Sequence, residues 1–344
     1  MLSGDIMQFL KKLTAVFMLN LTAVCAVFSM YQIIPKAKAL NAITTNDLFL
    51  SAPQESLDFT SNNSSETSSE PKTTIPASTK EKVLGKIQET VLSPYNAPVN
   101  VNKVYLKNST GVNVDFKTEL SKKINIDIKK TLQPEVLIFS THTTESYMLE
   151  DRKYYTDKDA TGTTDSTKNV VHIGSIIKQK LEQAGLSVIQ NSTVHDHPKF
   201  SGCYDRSAET VKSYLKKYPS IKIVIDIHRD SVNYDDGTKI KPTVEINGKK
   251  AAQVMLVAGC EAGAVEGFPN WRENLRLSMK LHQTIEEMYP SLARPITFTA
   301  RKYNLHLTTG SLLIEMGTEA NTLSEAEYSA ELVANALIKL LNSL

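Results

Sequence analysis

Three apolar runs constrain this chain more than any other feature: EVLIFS at 135–140, IKIVIDI at 221–227 and SLLIEMG at 311–317. Each is too short for a core helix, and each runs straight into polar side chains, as strands buried on both faces do. Helical periodicity occupies 169–185 and 208–218, and LSVIQ at 186–190 reads as one more strand. Alternation of this kind predicts an α/β domain whose sheet is mostly parallel, with helices on both faces.

The remaining elements follow from local signals. Asn247-Gly248 between PTVEI and AAQVMLVAG marks a hairpin, because both residues accept positive φ. WRENLRLSMKLHQTIEEMY at 271–289 is a long amphipathic helix stopped by Pro290, and PITFTA is a strand. A closing helix spans Ser324 to Leu341, with Ser324 and Glu327 as its capping box. Upstream, VNVNKVYLKN and VNVDF read as a hairpin about Ser109-Thr110-Gly111, in an accessory β segment over 97–130 packed on a catalytic domain over 131–344.

The amino-terminal third has another character. Residues 13–34 carry no charge and are long enough to cross a bilayer, so 1–12 form a cytoplasmic tail and the rest of the chain lies outside. A cleaved signal peptide ending near Ala39 is the alternative. The Ser/Thr-rich stretch that follows cannot bury enough apolar surface to offset its ordering entropy, and 35–96 is read as a flexible stalk, with a short helix at Glu81–Val91. With 39 basic and 37 acidic residues, the net charge of +2 gives no footprint for nucleic acid. Cys203 and Cys260 have no metal spacing, and a single bridge between them is left open.

In open α/β sheets, ligands bind beyond the carboxyl ends of strands. The strand at 135–140 delivers His142 and Glu145, the strand at 221–227 delivers His228, Arg229 and Asp230, and the third ends in Glu315. Two His and one carboxylate are the protein ligands of hydrolytic zinc, which keeps a further position for water. The residues therefore point to Zn2+ on His142, Glu145 and His228, with Glu315 as catalytic base and acid. Asp230 is a candidate to orient His228. Tyr303 and Asn304 are candidate oxyanion donors, and His306 a candidate substrate contact. Read without a function, His172 is a core histidine, His282 a helix-surface residue, and His195 and His197 flank Asp196 in a loop.

The stretches VLIFSTHTTESY, VIDIHRDS and GSLLIEMGTEANTLSEA resemble, in order, segments of the stage II sporulation protein P family. The resemblance covers about residues 100–344. It implies a fold similar to zinc N-acetylmuramoyl-L-alanine amidases, and a peptidoglycan hydrolase that cuts the amide and peptide crosslinks during engulfment of the forespore. It further implies the sporulation proteins D and M as partners, His142 and His228 as metal ligands and Glu315 as the catalytic carboxylate. In the broader zinc amidases the acidic ligand lies further along, which leaves Glu150 as the alternative to Glu145. A metallocarboxypeptidase and a catalytically silent wall-binding module are the competing readings.

Overall fold

The computed structural model describes residues 81–344. The tail at 1–12, the span at 13–34 and most of the stalk lie outside the described residues. Among the described residues no helix is long and apolar enough to cross a membrane.

Among the described residues are twelve strands and five α-helices. In chain order they are β1 (Val83–Thr90), β2 (Val99–Val101), β3 (Val104–Asn108), α1 (Phe116–Ser121), β4 (Val136–Phe139), β5 (Tyr154–Thr156), α2 (Val170–Gln183), β6 (Val188–Gln190), α3 (Cys203–Lys217) and β7 (Ile223–Asp230). There follow β8 (Lys239–Ile246), β9 (Lys249–Ala252), β10 (Val254–Gly259), α4 (Trp271–Met288), β11 (Ile296–Thr299), β12 (Ser311–Thr318) and α5 (Leu323–Leu341). The main sheet has the order β2-β3-β11-β10-β12-β7-β4-β6, and a smaller one the order β5-β1-β8-β9.

The α/β class is as expected, but the main sheet is mixed: five of its seven pairings are parallel and two antiparallel. Strands β6, β4, β7 and β12 run parallel, whereas β10 pairs antiparallel with β12 and β2 antiparallel with β3. The reversal begins at Asn247-Gly248, both at positive φ, which fold β9 back on β8. The chain then passes through the buried Gln253 into β10, against the direction of β12. The Gln253 side chain accepts from Leu92 N at 2.7 Å and donates to the Leu92 and Ser291 carbonyls, so the step between sheets leaves it fully bonded.

Two upstream expectations also change. Residues 83–90 form a strand and not a helix, paired with β5 and β8, so part of the segment assigned to the stalk belongs to a sheet. Burial alternates along its first residues, and Gly85 lets the Tyr155 ring pack where a Cβ would stand 2.6 Å from it. The amino-terminal hairpin turns at Asn102-Lys103, both left-handed, and not at 109–111. Its second strand continues the main sheet by pairing with β11. At the other end, α5 is capped by Thr322 and Glu325, two residues before the expected box. Among the described residues Cys203 and Cys260 form no disulfide, and both are buried.

Alternate side chains of β4 and β7 serve opposite faces of the sheet. Val136, Ile138, Ile223 and Ile225 join the large core with Ile173 and Ile177 of α2. Leu137, Phe139 and Val224 join a smaller cluster with Val211 of α3. Helices therefore cover both faces, and the parity that points Val224 toward α3 also points Asp226 and His228 that way.

Candidate active site

Glu315 on β12 is the register partner of His228 on β7, so the two project from the same face, as does Asp226 two residues upstream. Beyond β4 the chain makes a tight turn in which Glu145 N donates to His142 O at 3.2 Å. That turn is held from below. Thr144 N and Oγ1 donate to the Asp196 carboxylate, and His195 is buried against Ser140 O and Thr210 Oγ1. His195 and Asp196 are thus spent on structure.

The turn delivers both side chains to His228. The His142 and His228 ring centroids are 5.1 Å apart, and Glu145 Oε2 lies 3.5 Å from His228 Nδ1 while accepting from Arg229 N at 2.9 Å. Glu150, the alternative ligand, is exposed and lies 3.6 Å from Arg152. Asp226 Oδ1 stands 3.0 Å from His228 Nε2, a close charge contact that does not meet hydrogen-bond geometry. Thr141 fixes Asp226 through its N–H at 2.8 Å and its hydroxyl at 2.7 Å.

Buried polar atoms ordinarily find partners. Here they do not: both nitrogens of His142, His228 Nε2, the hydroxyls of Tyr147 and Tyr204, and Glu315 Oε2 are buried with no hydrogen bond among the described residues. Electrostatics follow the crowding. Burial pushes the Glu315 carboxyl up to about 8, helped by Asp230 and Glu145 and opposed by His228 and Arg294. Burial, with His228 adding to it, also lowers His142. Burial alone would lower His228 and raise Glu145, but their mutual attraction, with Asp226 on the histidine, holds His228 well above and Glu145 below their ordinary ranges.

A cleft of about 800 Å³ opens beside His142 and is lined also by Phe200, Tyr204, Arg301, Tyr303 and His306. Phe200 stacks on the His142 ring at 4.8 Å. Its loop is held by Arg206, which donates to the carbonyls of His195, Lys199 and Ser201.

Several sequence assignments are revised here. Asp230 pairs with the buried Arg294 at 2.9 Å and not with His228, whose neighbouring carboxylates are Asp226 and Glu145. Asn304 spends its amide on Tyr204 O and Ser207 Oγ, so it is no oxyanion donor, whereas Tyr303 does line the cleft. His172 is half-buried and bonded to Glu327 at 2.8 Å, and His282 is fully buried in α4. Sequence reasoning missed Asp226 although its signal is legible: a lone acid in an apolar strand, two residues before a ligand candidate. Phe200 and Tyr204 have no such signal, because a loop and a helix start bring them in.

For zinc, the donor chemistry fits: two imidazoles and a carboxylate face one another, and among the described residues neither His142 nitrogen has a hydrogen bond. Among the described residues, no three His, Cys, Asp or Glu side chains are already drawn together at metal-binding spacing. The fit therefore rests on the donors and their unpartnered atoms.

Residues 31–338 match the family model described as Stage II sporulation protein P (SpoIIP). The chain belongs to that family. Stage II sporulation protein P of Bacillus subtilis (strain 168) is 32% identical over 211 residues, which cover 58% of this chain and 49% of that protein. The chain thus matches about half the length of this curated relative. Among solved structures, the N-acetylmuramoyl-L-alanine amidase AmiC2 of Nostoc punctiforme is 15% identical, covering 63% of this chain and 98% of that one at a TM-score of 0.35. The N-acetylmuramoyl-L-alanine amidase from Clostridium difficile 630 is also 15% identical, covering 62% and 97% at 0.34. Similarity at that level assigns no residue a role.

Proposed function

We propose that this SpoIIP-family chain is a zinc-dependent peptidoglycan hydrolase that cuts the N-acetylmuramoyl-L-alanine amide and peptide crosslinks during sporulation. One observation carries the reading. Residues from three strand ends, His142 with Glu145, His228 and Glu315, meet in one buried cluster where both His142 nitrogens and Glu315 Oε2 have no partner among the described residues. Unpartnered buried groups clustered with shifted pKa values favour a binding or catalytic role.

His142, Glu145 and His228 would hold the zinc ion, which when bound supplies Lewis acidity and acidifies water. Glu315 Oε2 takes the proton from the attacking water and passes it to the leaving amine nitrogen. Asp226, held by Thr141 at 3.0 Å from His228 Nε2, would take that N–H when the imidazole ligates through Nδ1. Tyr204, whose hydroxyl is buried and unpartnered, is the donor to charge growing on the scissile oxygen. Family resemblance adds the sporulation proteins D and M as partners. The uncharged run at 13–34 would anchor the chain with its catalytic part outside the membrane, on the side where peptidoglycan lies.

Mass spectrometry of peptidoglycan digested by the full chain tests the reading, with release of stem peptides from glycan and cut crosslinks as the expected products. Glu315→Gln should slow both by roughly 10²- to 10⁴-fold. Elemental analysis should find zinc in the full chain and lose it in His142→Ala. Release of single terminal residues from free peptides, with no stem peptide, would indicate a carboxypeptidase instead. Wall binding with no product would indicate a silent module.

A further inference from the structure

The cleft beside His142 has a wall that the hydrolytic residues do not use. Arg301 and Lys302 lie on it, Arg301 exposed and Lys302 half-exposed. Among the described residues neither forms an ion pair. The third cation on the cleft, Lys212, is bonded to Glu209 at 2.8 Å, and Asp205 is the one carboxylate among the lining residues. Most basic side chains nearer the smaller sheet are engaged: Lys239 with Glu319, Lys241 with Glu325 and Lys250 with Glu89.

The backbone that carries this pair is held firmly. Tyr303 and Asn304 both sit at positive φ, a conformation that costs about 1 kcal/mol or more per residue and persists only where neighbours enforce it. Two hydrogen bonds from the Asn304 amide to α3 enforce it here, and so does the 2.8 Å bond from Leu305 N to Lys302 O. On the other side Gly259 packs against the Arg301 carbonyl, where any Cβ would collide. The positive field reaches into the cleft. His306 is lowered by burial and further by Lys302 and Lys212, while Arg301 opposes the burial that raises Tyr303.

We propose that Arg301 and Lys302 form a carboxylate subsite, which receives an acidic side group of the stem peptide on the amine side of the bond being cut. This rests on the hydrolase reading above. In a muramoyl peptide the lactyl carboxyl is consumed in the scissile amide, so the neutral glycan offers these cations no partner. The free carboxylates lie on the peptide. Arg301 and Lys302 would then set substrate orientation, and would distinguish stem peptides with a free carboxylate from those in which it is amidated.

The test uses two synthetic probes, N-acetylmuramoyl-L-alanyl-γ-D-glutamyl-glycinamide and its D-isoglutaminyl counterpart, which differ only in carboxylate against carboxamide. The full chain should prefer the carboxylate about five- to tenfold, the range for one or two partly exposed charge pairs, and less so as salt rises. In the double variant Arg301→Gln, Lys302→Gln the ratio should fall to about one, and Arg301→Lys should restore part of it. Fluorescence anisotropy measures binding of the same two probes independently of cleavage. If neither probe is cut but the binding preference is present and lost in the double variant, the hydrolase reading fails and the subsite stands. A ratio near one for the unaltered chain, or one that survives the double substitution, overturns the subsite.

Discussion

Two buried polar clusters border β12, and they are built on opposite rules. Around Glu315, side chains crowd together with many of their polar atoms unpartnered. A few residues further on, Asn321 accepts from Thr318 N at 2.9 Å and donates to Pro242 O, Thr243 Oγ1 and Glu325 Oε2. Lys241, 2% exposed, places its ammonium 2.8 Å from Glu325 and 2.7 Å from Asp151. In that second cluster no buried side-chain atom lacks a partner. The bulge after Glu315, with Gly317 at φ 81° where a Cβ would stand 2.9 Å from Asn321 Oδ1, separates the two. An unpartnered buried polar atom costs about 1–3 kcal/mol, so a fold that satisfies one cluster and not its neighbour keeps the second for something outside the chain.

The contrast is broken most directly at Lys241. Lys241→Met would leave Glu325 buried opposite an apolar side chain, and removing one partner of a buried pair destabilises by about 3–5 kcal/mol. Urea denaturation at neutral pH measures it. A loss under about 1 kcal/mol would mean that the fully bonded cluster is not what holds this end of the sheet.

His282 sharpens the comparison, since it is a buried polar group in α4, outside the site, with Nδ1 unpartnered. Burial pushes its imidazole down to about 4, opposed by the backbone of Arg294 and of Lys103. The unfolded chain takes up this proton near the ordinary value of about 6.5, so the contribution is intact above that pH. It is lost as pH falls from about 6.5 to 4, amounting to about 3 kcal/mol. Stability measured across that window should fall less in His282→Gln than in the unaltered chain. Equal slopes would show that an unpartnered nitrogen away from the site carries no acid penalty.

Much of this arrangement is legible in the amino-acid sequence. Strand-end placement finds His142, His228 and Glu315, because a parallel strand pair with period-two side chains brings aligned residues together whatever the loops do. The i,i+3 turn that aims Glu145 at His228 is readable from spacing. What fails is set by distant partners. His282 lies on a helix whose polar look does not reveal that β3 and the 292–294 segment cover it, as Tyr105 and Arg294 O show. Asp230 stands as near His228 in sequence as Asp226 does, and only Arg294, 64 residues away, decides which carboxylate is left for the imidazole. The mixed sheet escapes notice because Asn247-Gly248 announces a hairpin without saying that its second arm leaves for another sheet at Gln253.

The smallest expected effect is the most diagnostic. Glu315 is nearly as buried as Lys241, and on burial alone Glu315→Gln would be as costly as Lys241→Met. Its Oε2 has no hydrogen bond to lose, however, and the amide has nearly the same shape, so folding stability should change by less than about 1 kcal/mol. Differential scanning fluorimetry on the two variants side by side reads this difference directly. If Glu315→Gln unfolds as readily as Lys241→Met, Glu315 is bonded in solution to something the fold itself provides, and the division between a frame cluster and an open one falls. If it stays within that limit while the rate of peptidoglycan cleavage collapses, the unpartnered carboxyl belongs to the reaction and not to the scaffold.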